Sequence, residues 1–293
     1  MPRHGAGRRP APPTIGDVPA ERIAQNLAYI NWTVLTGLAV GTFAAVVLGR
    51  LATAATRGYL AFTAACAAAL GGLAYLSDTG LPASIAGAAV PVDAAWDLPR
   101  RLALLAFVVV AIAYVVALAR GRRAPALAVI GLAAGGATLL TGAIGWAAGP
   151  FDAVLLTVQL ALLTAATGGV FAAMILGHWY LVTPRLPEAP LVLFSRALFA
   201  IVAVQLVLFV TWVTAGTGGG GPFSALGGPW ALFVWLRLLV GLGFPLVVSW
   251  AAIQTARTRS MESATGLLYI NVGSIAAGTI LAAGLYFGAG MLV

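Results

Sequence analysis

The 293-residue chain is 61% hydrophobic and only 8% charged, with a mean hydropathy of +1.00. One soluble core of this length cannot enclose so much apolar surface, so the solvent is lipid. The net charge of +8 would suit nucleic acid in a soluble protein, but the arginines fall between apolar runs, where they act as topology signals and headgroup contacts, and no nucleic-acid partner is expected. The chain has no lysine, which excludes a Schiff base and a P-loop, and its single cysteine, Cys66, excludes an intramolecular disulfide or a thiolate metal site.

Residues 1–26 read as a basic, proline-rich, disordered tail; Arg8-Arg9 runs into Pro-Ala-Pro-Pro, not into the apolar stretch of a signal peptide. Beyond it the hydropathy predicts spans near 27–49, 58–77, 99–119, 126–147, 154–181, 191–215, 230–255 and 263–290. The predicted fold is an all-α integral membrane protein with eight transmembrane helices. The longest connections are 78–98, which takes in Asp78, Asp93 and Asp97, and 216–229. On this reading no carboxylate lies mid-span, so a proton-coupled carboxylate relay is not expected.

Arginine resists translocation and collects in short cytoplasmic loops. The connections after the odd-numbered spans hold Arg50, Arg57, Arg120, Arg122, Arg123, Arg185, Arg196, Arg257 and Arg259. These loops are expected in the cytoplasm, with both termini outside a cell (inner) membrane. Glycines in spans four and eight, among them Gly131, Gly135, Gly136, Gly142, Gly266, Gly273 and Gly278, predict close-packed seams.

The chain also resembles itself. GTFAAVVLGR at 41–50 aligns with GVFAAMILGH at 169–178 with identity at six of ten positions, and the same offset pairs Asn31 with Gln159 and Arg57 with Arg185. A slightly larger offset pairs Arg100 with Arg237, Phe107 with Phe244, and ARGR at 119–122 with ARTR at 256–259. The expectation is two tandem, parallel-repeat four-helix bundles, 27–149 and 150–293. Arg100 lies at the mouth of span three, so the pairing predicts that Arg237 also snorkels at the outer interface.

Distinctive side chains collect where span five ends. His178 can ligate a metal or haem, or exchange a proton with a quinone, and Trp179 and Tyr180 can stack on or hydrogen-bond a flat ring. Arg185, Arg257, Arg259 and Glu262 are expected on the same face, and together these seven residues are the predicted ligand-binding site. Ser260 is expected to cap the last span, with Glu262 in its first turn. The amides Asn31, Gln159, Gln205, Gln254 and Asn271 are expected to bond across to neighbouring helices.

No catalytic constellation and no protein metal site can be assembled around one usable histidine. At the level of fold alone the expected arrangement is similar to eight-helix haem-A synthases and to eight-helix quinol-oxidising anchors of molybdenum-enzyme complexes, and no motif carries either likeness. The former need paired histidines, so a quinone-like ligand is favoured over haem. The leading expectation is a membrane-anchor or redox-associated subunit with a membrane or soluble redox partner. The alternatives are a transporter of small molecules or lipids using the interface between repeats, and a ligand-free assembly protein.

Overall fold

The computed structural model describes residues 18–83, 89–183, 186–216 and 221–293. Lipid offers backbone groups no hydrogen-bonding partner, so each apolar run must satisfy its own N–H and C=O groups as a helix. Among the described residues, eight helices are long and apolar enough to cross a membrane.

The elements in order are α1 (Pro19–Gln25), α2 (Leu27–Ala52), α3 (Arg57–Thr79), α4 (Asp97–Ala119), α5 (Pro125–Trp146), α6 (Pro150–Val182), α7 (Ala189–Ala215), α8 (Ala231–Leu238), α9 (Phe244–Arg257) and α10 (Met261–Ala289). A π-helical turn, Leu239–Gly243, joins α8 to α9 within the seventh span. Helix α1 falls inside the stretch expected to be a disordered tail; Ile23 packs against α10 near Gly284, while residues 1–17 of that tail lie outside the described residues.

Helix α2 packs on α3, α3 on α4, α4 on α5, and α5 returns to α2; in the same manner α6 packs on α7, α7 on α9, α9 on α10, and α10 returns to α6. The two groups meet through α2 against α6, flanked by α10 on α2 and α5 on α6. Small residues bring the central pair together, as van der Waals packing in lipid requires. A Cβ at Gly41 would fall 1.9 Å from the Thr164 carbonyl oxygen, and one at Gly168 would fall 2.1 Å from the Thr42 nitrogen.

The tightest seam therefore lies on α2 and α6, not on the spans expected from glycine content. Those spans contribute in part. Gly131 accommodates Phe43, Gly135 accommodates Val40, and Gly278 faces Gly241, whereas Gly136, Gly266 and Gly273 face open space. The outer faces of the spans expose large apolar side chains, as at Leu73, Ile112, Val129, Val207 and Val247.

Most of the predicted amide bonds form. Asn31 donates to Ser77 Oγ at 3.0 Å, Asn271 to Ser249 Oγ at 2.9 Å, and Gln205 to the Leu162 carbonyl at 3.2 Å. Ser260 occupies the N-cap position of α10 without making a side-chain cap bond; its hydroxyl pairs instead with Ser263 Oγ at 2.9 Å.

Candidate functional site

Helix α6 has 33 residues and so runs roughly 50 Å at 1.5 Å per residue, longer than a ~30 Å hydrocarbon layer. Its last turns can thus carry polar side chains. Gly177 lets α10 approach, since a Cβ there would sit 2.8 Å from Thr265 Oγ1, and Gly58 at the start of α3 leaves room for the Trp179 ring, whose Cζ2 would lie 2.8 Å from a Cβ at that position.

Around this helix end the predicted residues divide between two recesses. His178 and Trp179 line a groove of about 510 Å³ between α3, α6 and α10, together with Phe62, Cys66, Phe171, Met174 and Tyr269. His178 is exposed and Trp179 half-buried. The groove has a polar head, where His178 and Thr183 sit, and an apolar body reaching two turns deeper along α6 to Phe171.

Tyr180 faces the other way. It lines a recess of about 540 Å³ with Leu181, Arg259, Ser260, Met261 and Glu262, and its hydroxyl donates to the Pro187 carbonyl. Residues two apart on a helix point about 200° apart, so Tyr180 and His178, expected in one site, line different recesses. Arg259 donates to the Leu186 carbonyl at 3.3 Å and lies 3.4 Å from Glu188, which ties the connection before α7 to the start of α10. Arg257 is exposed and lines neither recess. Arg185 lies outside the described residues.

The opposite end of the first helix group holds a cluster that hydropathy reading placed in a loop. Asp78, in the last turn of α3, is fully buried. Its carboxylate accepts from Arg100 Nε at 2.6 Å, Arg101 Nε at 2.9 Å and Trp32 Nε1 at 2.8 Å. Arg100 is itself only 1% exposed; its guanidinium carbon lies 5.0 Å from the centroid of Trp146, and Nη1 lies 3.0 Å from Asp97, at ion-pair distance without hydrogen-bond geometry. Two carboxylates and two guanidiniums cancel here, so the cluster joins α2, α3, α4 and α5 without net buried charge.

Arg237 is likewise buried, at 3% exposure, which corrects the expectation that it snorkels. Its Nη2 donates to Gln205 Oε1 at 2.7 Å, Nη1 to the Gly241 carbonyl at 3.3 Å and Nε to the main-chain oxygen of Val293 at 3.4 Å. The expected likeness to Arg100 holds in burial, not in exposure: the start of α4 is covered by Trp32 and Trp146, and α8 by the segment after α10. Mixed charge at Asp78, Asp97, Arg100 and Arg101 was the available signal for the first cluster.

Among the described residues, no group of three His, Cys, Asp or Glu side chains is placed to hold a metal ion. Fold and composition together define a polytopic helical protein of the membrane-spanning kind. Compared with known proteins, the chain matches no family model, no curated protein and no solved structure.

Proposed function

We propose that the chain is a membrane-anchor or redox-associated subunit that holds a quinone-like or other lipid-soluble ring in the groove headed by His178 and Trp179. The groove carries this reading: its volume of about 510 Å³ falls within the roughly 300–1,000 Å³ of small-molecule sites, and its polarity runs from an imidazole at the head to Phe62, Phe171 and Met174 below. An amphiphile with a polar ring and an apolar tail has that same gradient. Near neutral pH an imidazole can donate to or accept from a ring oxygen, and an indole offers a flat stacking surface.

Electrons would have to come from a partner carrying cofactors. The exposed Arg257 and Arg259 suit an acidic partner surface on the arginine-rich side, which we assign to the cytoplasm of a cell (inner) membrane, with both termini outside. We further read 27–149 and 150–293 as duplicated four-helix units. The central α2 and α6 pair, with α10 on α2 and α5 on α6, is the arrangement a twofold axis along the membrane normal would produce.

Transport between the units has less support, because α2 and α6 meet backbone to backbone at Gly41 and Gly168. The test is purification from the native membrane in mild detergent, followed by solvent extraction and a visible spectrum. A quinone-like molecule that copurifies with the wild type and is depleted in His178→Ala supports the reading. Extracts of wild type and variant that carry no such ring would favour a ligand-free assembly role, and substrate uptake into proteoliposomes would favour transport.

A further inference from the structure

At the opposite end of α6 from His178, a groove of about 560 Å³ runs between α5 and α6, within the roughly 300–1,000 Å³ of small-molecule sites. Asp93 and Trp96, which flank the single helical turn before α4, make its head; Leu140 and Ile144 of α5 face Val154 and Val158 of α6 along its body. Leu140, Val154 and Val158 are exposed on the outer face of the helices. The groove therefore opens sideways to the bilayer, and what fills it comes from the membrane.

The head is held in place before any ligand arrives. The Asp93 N–H donates to the Gly145 carbonyl at 2.9 Å, and Gly145 leaves room for Trp96, whose Cβ would lie 3.0 Å from a Cβ at that position. Asp93 Oδ1 accepts from the Ala95 N–H at 3.0 Å, which orients the carboxylate. Nearby arginines do not neutralise it: Arg100 pairs with Asp78 and Asp97, and Arg101 with Asp78. Among the described residues lining the groove, Asp93 is the one with a charge, and the adjoining first turn of α6 adds another acid, Asp152.

We infer that this groove is a binding site for a phospholipid with a primary ammonium head, phosphatidylethanolamine, taken from the surrounding bilayer. The ammonium donates to the Asp93 carboxylate in a charge-assisted hydrogen bond and lies against the Trp96 indole, while an acyl chain follows the apolar walls down between α5 and α6. One carboxylate and one indole suit a primary ammonium, which has N–H groups to donate; a quaternary head is recognised by an aromatic cage, which these two residues do not make. The site is distinct from the ring groove between α3, α6 and α10.

The test is native mass spectrometry of the full chain in non-ionic micelles, titrated with phosphatidylethanolamine or with phosphatidylglycerol of the same acyl chains. Saturable binding of phosphatidylethanolamine to the wild type is expected. Asp93→Asn keeps an oxygen that can accept from the Ala95 N–H and removes the charge; it should weaken phosphatidylethanolamine binding roughly fivefold and leave phosphatidylglycerol binding and the melting temperature unchanged. Should that variant not fold, Val154→Trp, at an exposed position on the groove wall, should block the body and weaken phosphatidylethanolamine binding by a similar factor. No saturable binding of phosphatidylethanolamine to the wild type, or binding unchanged in the folded variant, would overturn the inference. Equal weakening of both lipids by Asp93→Asn would overturn it as well, because the effect would then be one of shape and not of ammonium recognition.

Discussion

Replacing Asp78 by Asn keeps the side chain's shape and removes its charge. Arg100, 1% exposed, would then lose its nearest counter-charge and keep Asp97 at 3.0 Å and the rings of Trp146 and Trp32. Removing one partner of a buried pair costs about 3–5 kcal/mol. The lower figure applies, because an Asn oxygen can still accept one of the bonds from Trp32 Nε1 or Arg100 Nε. Arg101 adds little, as its side chain is 35% exposed and a screened pair is worth about 1 kcal/mol or less. A loss of ~3 kcal/mol corresponds to a melting temperature lower by roughly 6–12 °C for a chain of this size class. Denaturant titration in mixed micelles and a thermal melt by tryptophan fluorescence would both read it, with Arg101→Gln as the mild comparison. A melting temperature for Asp78→Asn within 1–2 °C of wild type, or a larger loss for Arg101→Gln than for Asp78→Asn, would refute the reasoning, because either means that the cluster is hydrated and not buried.

Other substitutions probe the remaining parts of the account. Gly41→Ala, whose Cβ would meet the Thr164 carbonyl oxygen, is expected to lose about 3 kcal/mol or more through overpacking, whereas Gly136→Ala, with nothing nearby, should be neutral or gain up to ~1 kcal/mol in helix propensity; micellar denaturation of the two variants compares them directly. Asn271→Leu removes the donor to Ser249 Oγ between α9 and α10 and should cost about 1 kcal/mol, read by the same titration. For orientation, Arg122→Cys and Gly221→Cys in a Cys66→Ala background should be labelled by a membrane-impermeant maleimide from the cytoplasm and from outside respectively, and the reverse pattern would overturn the assignment made from the arginines.

The spans were legible because each rests on a local run of apolar residues, but the arginines read as lying in the connections are partly helical: Arg50, Arg57 and Arg257 sit at helix ends and Arg196 lies in the second turn of α7. What stayed hidden depends on contacts distant in sequence. Asp78 closes the last turn of α3, where a hydropathy window ends the span one residue early, and its partners lie 22 to 46 residues away. Arg237 was placed at the interface by analogy with Arg100, whose own burial depends on tryptophans from two other helices. The α2 and α6 seam passes through Gly41 and Gly168, which read as two small residues among many, since only the crossing geometry makes a missing Cβ decisive. The separation of Tyr180 from His178 was available from the angular step of a helix alone. His178 and Trp179 do share a groove, yet its walls from α3 and α10 were beyond any local reading.

The central claim is that this groove holds a lipid-soluble ring, and equilibrium binding of a short-chain naphthoquinone to the purified protein tests it most directly. Wild type, His178→Ala and Cys66→Phe form the set; the last fills the groove from its α3 wall. Saturable binding to the wild type, weakened roughly fivefold or more in both variants, is the expected result. Equal affinity in all three proteins, or no saturable binding to any, would contradict the account.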